Sequence, residues 1–529
     1  MFHHLTEYLF DLYRHRHSSP GRRAARANLR VESLESRLVP STIDWNQTYQ
    51  TIDGFGASSA WIVQSLTPAR ADLLFSPTQG IGLSLLRSRI RPDTSASSDE
   101  ISTMQTAQSM GVTVWSTPWS PPGAWKDNNS IDNGGHLLAS HYQDYANLLS
   151  QYVRNMAARG ITIHAVSVAN EPNFTASYES SRWTASEFAA FLPILADTFT
   201  RDGVTAKIVL PEETSWNFDL ASTIFSDPNL SADVGIVAGH NYGGTPGPVP
   251  GAQGKALWET ETSSTEAFNA GISNALGWAK NIHDFLTIAH AGAWHYWWIK
   301  SSGNDDAGLL GSNWQLTKRF WAVGNYSRFV RPGWVDIGAT NDGSVLVSAF
   351  KDPVSGQFAI VAVNQGNAAT ETFNLRGFAA RSVTPWVTSA DFDLAAQARM
   401  KVHGSSFTVD LPAQSITTFV GSTLPGGISD QSALGNEDPA VYATAAALPG
   451  NRLTAGAYPV ASAVLAAPGR IGTPVARVDD MPVSPDRATF GNGGGSTFTA
   501  PSVGGESAPV TRGLGDWTLE LPDEWWVTG

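Results

Sequence analysis

The 529-residue chain contains no cysteine, which removes thiol catalysis, Cys-ligated zinc, iron–sulfur clusters and every disulfide. Charge is sparse: Asp, Glu, Lys and Arg together make up 15% of residues, and 34 basic against 47 acidic side chains leave a net −13. A nucleic-acid partner needs a basic face from which counterions are released, so the balance argues against one. No apolar run approaches the roughly 20 residues of a membrane-spanning helix. His240 has no H-x-H or H-E-x-x-H partner, so neither a metal nor any other cofactor is expected. Hydrophobic residues, at 42%, suffice for a large core. The length suits two to four domains, and the expectation is an acidic, mostly globular monomer.

What is abundant is tryptophan, with 19 residues unevenly placed. Trp115, Trp119 and Trp125 form one group; Trp294, Trp297 and Trp298 form another. Core packing accounts for such residues wherever they sit, because indole buries much area. A platform for sugar rings is the alternative.

Residues 1–41 carry Arg14, Arg16, Arg22, Arg23, Arg26 and Arg30 with no apolar h-region after them, a poor match to an ordinary secretory signal. The stretch Arg30-Val-Glu-Ser-Leu-Glu-Ser-Arg-Leu-Val-Pro-Ser41 resembles a leader on planctomycete envelope and exported proteins. A secreted or cell-envelope location is the expectation; a disordered basic arm is the alternative. Residues 423–529 are Gly/Pro/Ala-rich and acidic, with five Arg, no Lys and eleven acids, a composition that does not call for a fold. Its last stretch, Asp516 to Trp526, reads as a solvated end rather than a docking motif.

Between 52 and 328, short apolar runs alternate with helical-length segments, the pattern of repeated βα units. Eight strands are predicted: Gly54–Ser58, Leu83–Ile90, Thr113–Thr117, Thr162–Val168, Lys207–Leu210, Val234–Ala238, Ala256–Trp258 and Ala293–Trp298. Eight units over this length fit an α/β fold of the (β/α)8 TIM barrel type. Tyr142–Arg159 and Ala185–Phe199 have the apolar spacing of outer helices. From 329 to 422 the texture changes to strands without helical periods, including Val345–Phe350, Phe358–Val363, Thr370–Leu375, Phe407–Leu411 and Ile416–Val420. These predict an attached antiparallel β-sandwich side domain, to which residues 42–51 add a strand.

A (β/α)8 barrel carries its active site at the C-terminal ends of its strands. Ala169-Asn170-Glu171-Pro172 follows the fourth predicted strand, and Glu259-Thr260-Glu261 follows the seventh. His240-Asn241-Tyr242 follows the sixth, the eighth ends in Tyr296-Trp297-Trp298, and the third runs through Trp115 to Trp119. Two carboxylates facing across an aromatic mouth suit glycosidic cleavage, where one must be an acid and the other an anion. Glu259 is the rival to Glu261: a two-residue offset keeps both on one face if the strand continues, with Glu259 one layer deeper and supporting. Glu212 and Glu213, ending the fifth strand, read as hydrogen-bonding support. Arg87 and Arg89 share a face of the second strand, and whichever lies near Glu261 would lower its pKa; a structural ion pair is the alternative for both. His240 reads as a hydrogen-bonding sugar contact.

These residues resemble glycoside hydrolase family 30, within the clan of retaining (β/α)8-barrel enzymes, over about residues 42–421. Gln50-Thr-Ile-Asp-Gly-Phe-Gly-Ala-Ser58, Leu86-Arg-Ser-Arg-Ile90, Trp119-Ser-Pro-Pro122, Asn133-Gly-Gly-His-Leu137, Val166-Ser-Val-Ala-Asn-Glu-Pro172, Leu257-Trp-Glu-Thr-Glu261, Phe329-Val-Arg-Pro-Gly333 and Leu411-Pro-Ala-Gln-Ser-Ile-Thr-Thr-Phe419 carry the resemblance in order. It implies that Glu171 is the general acid/base and Glu261 the nucleophile. It implies further that Asn170 bonds the sugar 2-hydroxyl, that Arg87 rather than Arg89 joins Tyr242 in holding Glu261, and that Trp297 floors the subsite of the cleaved residue.

The 119–183 region is closest to the branch that cuts β-1,4-xylan. Glucuronate-dependent members read Trp-Tyr-Ile-Arg-Arg-Ser-Tyr-Gly after the eighth strand; here the segment is Trp297-Trp-Ile-Lys-Ser-Ser-Gly303. Lys300 lacks the bidentate fork of arginine, so xylan cleavage without strict dependence on glucuronate is expected. A β-1,6-galactanase or β-1,6-glucanase of the same family is the alternative. A catalytically silent carbohydrate-binding surface protein or a metal-dependent sugar isomerase would be alternatives of other classes.

Overall fold

A computed structural model describes residues 40–62, 64–252, 254–340 and 345–424. The expected basic leader and acidic tail lie outside the described residues, apart from the edge positions taken up by the first and last strands.

The chain enters on β1 (Ser41–Thr51) and then runs through the barrel strands β2 (Gly54–Ser58), β3 (Leu85–Ile90), β4 (Thr113–Pro118), β5 (Ile163–Ser167), β6 (Lys207–Glu213), β7 (Ile236–His240), β8 (Ala256–Glu261) and β9 (Ala293–Lys300). All eight pair in parallel, neighbour to neighbour, from β2 to β9. The barrel closes where Gly54 to Ser58 pair with Ala293 to Trp298. Eight strands were expected, and eight form the ring; β6, β7 and β8 extend two or three residues past their predicted ends. Their polar last residues hide the extension in an apolarity count, although in a barrel the inward face near the mouth is where polar side chains belong.

Side chains of Leu85, Trp115, Ala165, Val209, Ile236, Ala238, Trp258 and Ala293 fill the barrel interior. The Gly54-Phe-Gly56 segment is set by that crowding. A Cβ on Gly56 would stand 2.4 Å from the His295 ring, and Gly54 has φ +142°, which L-residues with a side chain rarely adopt.

Among the outer helices, α1 (Pro68–Phe75), α2 (Ser98–Ser109), α3 (Tyr142–Ala157) and α4 (Ala185–Asp202) come first. Ser97 with Glu100 and Thr184 with Glu187 form capping boxes that start α2 and α4. Gly203, at φ +68°, ends α4 in the left-handed conformation. Short α5 (Ser222–Ser226) and α6 (Pro228–Asp233) follow, then α7 (Ile272–Thr287), strand β10 (Gly308–Leu310) against β9, and α8 (Lys318–Ser327). No helix among the described residues is long and apolar enough to cross a membrane.

The side domain is one sheet built on β1 with β11 (Val335–Ala339), β12 (Val345–Lys351), β13 (Gln357–Asn364), β14 (Ala369–Arg376), β15 (Ala380–Thr388), β16 (Ala395–Ala396), β17 (Met400–Lys401), β18 (Ser406–Leu411) and β19 (Ser415–Thr423). It doubles back on itself like a sandwich: the Phe419 ring on β19 lies 5.2 Å from Phe373 on β14 and 5.3 Å from Phe407 on β18. The expectation of an antiparallel sheet needs one correction. β1 runs antiparallel to β11 but parallel to β14, because it arrives from far away in sequence and no short turn dictates its sense. The two domains share polar ties. Asn325 on α8 donates to the Trp386 carbonyl at 3.1 Å and to Thr418 Oγ1 at 3.0 Å, and Gln50 on β1 donates to the Leu286 carbonyl at 2.9 Å.

Candidate active site

The turn after β5 is pinned from both sides. Asn170 N–H donates to the Pro118 carbonyl at the end of β4, and Glu171 N–H to the Glu212 carbonyl on β6. That pinning holds Glu171 at φ +47° and Glu212 at φ +56°, in the left-handed region that costs an L-residue roughly 1–2 kcal/mol. Glu171 is thereby aimed across the mouth, where an oxygen of it and an oxygen of Glu261 lie within 4.8 Å of each other and of a ring nitrogen of His240.

Glu261 ends β8 after an irregularity. Gly239 on β7 pairs with Glu259, and His240 pairs with Glu261, so β8 advances two residues while β7 advances one. Thr260 is the extra residue of a β-bulge. Glu259 and Glu261 therefore do not share one regular inward row, as a continuing strand would have given. Glu259 is fully buried and turned to the gap between β8 and β9, where it accepts the Glu261 N–H at 3.1 Å and the His295 N–H at 3.0 Å.

Arg87 organises the floor of the site. Its fully buried guanidinium donates to Glu261 Oε2, to Asn170 Oδ1 at 2.7 Å, to Glu212 Oε1 at 3.0 Å and, through Nε, to Thr117 Oγ1 at 3.3 Å. Tyr242 donates to the other Glu261 oxygen at 2.9 Å. Arg89 points elsewhere: it pairs with Glu179 and stacks over Trp61 at 4.5 Å.

Burial alone would raise Glu212, yet Arg87 and His240 hold its carboxyl down to about 2. His240 is pushed up to about 10: burial opposes the imidazolium, but Glu261, Glu171 and Glu212 around it prevail. Glu261 itself is raised, contrary to the expectation from an adjacent arginine. Burial outweighs the pull of His240 and Arg87, and Glu171 adds to the rise. Glu213 accepts the Leu220 N–H behind the mouth, and burial pushes it up to about 7.

Two expected sugar contacts are not placed as such. Both ring nitrogens of buried His240 face carboxylates, Glu171 at 3.1 Å and Glu212 at 3.5 Å, so none is free for a hydroxyl. Trp115 is fully buried two residues below Thr117 on the same inward face, with Nε1 donating to His295 Nε2 at 3.1 Å. Glu171, His240 and Glu261 also have the spacing of a metal triad. Here the two Glu261 oxygens already take Arg87 and Tyr242, and a protonated imidazole offers no lone pair.

The rim is aromatic. Half-buried Trp297 lies 5.7 Å from Trp119 and 6.0 Å from Trp61; Trp119, expected as a sugar contact, is itself buried and packs over the Arg87 guanidinium at 4.8 Å. Trp61 and Tyr178 were not singled out in the sequence. Trp61 follows β2 in a loop at φ +58°, and Tyr178, 40% exposed, sits beside Glu179 in the loop after β5. Neither loop has a periodicity to flag them. Beside Trp61 a cleft of about 450 Å³ is lined by Gln64, Trp298, Lys300, Ser301 and Ser302.

This arrangement can be set beside known proteins. Residues 93–229 match the family described as O-Glycosyl hydrolase family 30. Glucuronoxylanase XynC of Bacillus subtilis (strain 168) is 30% identical over 402 residues, covering 72% of this chain and 91% of that protein. The solved glycoside hydrolase family 30 subfamily 8 xylanase Xyn30A from Clostridium acetobutylicum is 33% identical, with a TM-score of 0.67 over 72% of this chain and 99% of that one. A GH30 endoxylanase from Clostridium papyrosolvens C71 is 30% identical, with a TM-score of 0.64 over 73% and 100%. With a barrel and a side sheet that match these relatives over nearly their whole length, the chain belongs to glycoside hydrolase family 30.

Proposed function

We propose that the chain is a retaining glycoside hydrolase that cleaves β-glycosidic bonds of a xylan-type polysaccharide without strict dependence on a glucuronate branch. The separation of the two carboxylates carries the mechanism. One oxygen of Glu171 within 4.8 Å of one of Glu261 suits the carboxyl spacing of about 5–5.5 Å in retaining enzymes better than the roughly 6.5–9.5 Å of inverting ones. Glu261 is the nucleophile, because Arg87 and Tyr242 occupy its two oxygens and orient the anion. Glu171, which pairs with His240 Nδ1 at 3.1 Å, is the acid/base.

Glu261 attacks the anomeric carbon while the bond to the leaving sugar breaks. The departing oxygen keeps the electron pair and takes the Glu171 proton. Glu171 then removes a proton from water, whose oxygen attacks the same carbon and releases Glu261 as a carboxylate. Arg87 fixes the flip of the Asn170 amide by bonding Oδ1, which leaves the NH2 group to donate to the sugar 2-hydroxyl. Trp297 supports the ring.

Xylan is favoured because the relatives that are at least 30% identical and align over nearly their whole length are named as xylanases and glucuronoxylanases. The relaxed requirement for a uronate rests on this chain's own residues. Lys300 Nζ bonds the carbonyls of Ser301 at 3.1 Å and Ser312 at 3.0 Å. The Ser301 hydroxyl donates to the Asp305 carbonyl and accepts from Gly308 N–H. Neither offers the planar fork that grips a carboxylate. Action outside the cytoplasm, as a monomer, belongs to the same proposal, since the substrate is a polymer.

The test is reducing-end release by the full chain, beside Glu171→Gln and Glu261→Gln, on glucuronoxylan, arabinoxylan, uronate-free xylan, β-1,6-galactan and β-1,6-glucan. Hydrolysis of uronate-free xylan, lost in both variants, is the expected result. Activity confined to a β-1,6 substrate would overturn the substrate assignment, and full activity in either variant would overturn the mechanism.

A further inference from the structure

Glu259 is not required by the double displacement, yet it is fully buried two residues from the proposed nucleophile. The ladder on both sides of it is out of step. From the Trp258–Ala293 pair to the Thr262–Tyr296 bridge, β8 advances four residues and β9 three. On the β7 side, β8 advances two while β7 advances one. Both neighbours thus register the same extra residue, Thr260. A bulge normally leaves backbone donors without their ladder partners, and an unpaired buried N–H costs about 1–3 kcal/mol.

Glu259 takes up those donors. One carboxyl oxygen accepts the Glu261 N–H at 3.1 Å and the other the His295 N–H at 3.0 Å, so a single side chain ties the two strand backbones together where the ladder is open. Its own carbonyl accepts His295 Nδ1–H at 2.8 Å, which leaves Nε2 to accept from Trp115. The imidazole is thereby fixed as a neutral tautomer, in keeping with a pKa that burial lowers to about 3. The ring lies against Gly56, where there is no space for a Cβ.

We propose that Glu259 is a positioning residue for the nucleophile: its carboxyl group holds open the β8 bulge that turns Glu261 into line with Arg87, Tyr242 and the anomeric carbon. This rests on the assignment of Glu261 as nucleophile. The side chain works through the Glu261 backbone and never touches the sugar. Displacement of a reacting group by about 1 Å can cost 10²-fold in rate, so the effect belongs in kcat.

The experiment uses the full chain with Glu259→Gln and Glu259→Asp. The amide keeps the volume but can accept only one of the two N–H groups and sets its own NH2 against the other. Asp keeps the carboxyl group but is one methylene short of spanning the gap. For each, kcat and KM on xylan are measured with active-site titration, and so is the rate at which an activated 2-deoxy-2-fluoro-xyloside labels Glu261, which reads nucleophilic attack alone. Melting by circular dichroism reports folding.

The expected result for Glu259→Gln is kcat and labelling rate both down about 10²-fold, with KM within about threefold. Glu259→Asp should fall between it and wild type. Folded Glu259→Gln with wild-type kcat and labelling rate would overturn the proposal. So would a loss confined to melting temperature, which a merely structural role predicts. If Glu259→Gln does not fold, wild-type labelling in Glu259→Asp is the overturning result. Glu261→Gln, measured alongside, separates the two ideas: if it stays active the nucleophile assignment fails, whereas an inactive Glu261→Gln beside a wild-type Glu259→Gln sinks the positioning role alone.

Discussion

Replacing Arg87 with methionine tests the electrostatic frame of the site. The guanidinium makes four side-chain hydrogen bonds, three of them to Glu261, Glu212 and Asn170, and is fully buried. Without it, His240 is the one cation among the described residues left in reach of Glu212 and Glu261, beside the Thr117 and Tyr242 hydroxyls. The Glu212 carboxyl, held by Arg87 and His240 together at about 2 against an ordinary 4.5, represents roughly 3.5 kcal/mol at about 1.4 kcal/mol for each pH unit, of which Arg87 carries the largest share. Removal of one partner from a buried pair commonly costs about 3–5 kcal/mol, so the two routes agree on a loss of about 3 kcal/mol at pH 7. The depressed folded pKa also fixes the pH dependence. Its stability is present above about pH 4.5 and is lost as pH falls through about 2, so wild type and variant should converge across that window. Urea unfolding followed by tryptophan fluorescence at pH 7, 4 and 3 measures both. A loss below about 1 kcal/mol at pH 7, or one equally large at pH 3, would refute the reasoning. Arg87→Lys keeps the charge as a single point and should recover only part of the stability.

His240 gives the opposite sign. Its folded pKa is raised to about 10, so its contribution is full below about pH 6.5 and is lost as pH rises through 10. Unfolding free energy measured from pH 6 to 10 should decline in wild type and stay flatter in His240→Gln, by an amount that overlaps the Arg87 effect because both act on Glu212. Tyr242→Phe removes the hydroxyl that lowers the Glu261 pKa. The acid limb of its kcat/KM profile should move to higher pH and kcat should drop about tenfold; an unmoved limb counts against the contact. Trp297→Ala should raise KM for xylo-oligosaccharides about tenfold, since ring stacking is worth about 0.5–1.5 kcal/mol beyond area, and unchanged KM would remove Trp297 from the subsite.

The barrel was legible because each strand is a short apolar run between helical periods. Much of the side sheet was legible for the same reason, but β11 and β15 were not. Val335–Ala339 is short and contains Gly338. Ala380–Thr388 contains Pro385, which argues against a central strand. The structure resolves that objection locally. β17 pairs at Ser382 and Val383, β16 at Trp386 and Val387, and Pro385, with no N–H to donate, falls in the break between them. The proline is tolerated because the neighbouring edge is itself interrupted, a fact about partners far along the chain.

At the site, Glu171 and Glu261 were legible because a barrel places function at strand ends, and a carboxylate immediately after a strand has one direction to face. Trp115 and His240 sit on the same inward rows, so sequence placed them in the mouth with equal right. What separates them from contact residues is depth and prior engagement. Trp115 lies two residues below Thr117, and both nitrogens of His240 are already taken by carboxylates. The Thr260 bulge is harder still. An alternating pattern through Trp258-Glu-Thr-Glu261 puts both glutamates on one face, while one inserted residue sends them to different neighbours. Nothing in Thr260 itself announces a bulge. The signal is the second glutamate: a buried acid two residues before the nucleophile has no place in a regular strand, where every backbone donor already has a carbonyl, and finds its place only where the ladder has left N–H groups unpaired.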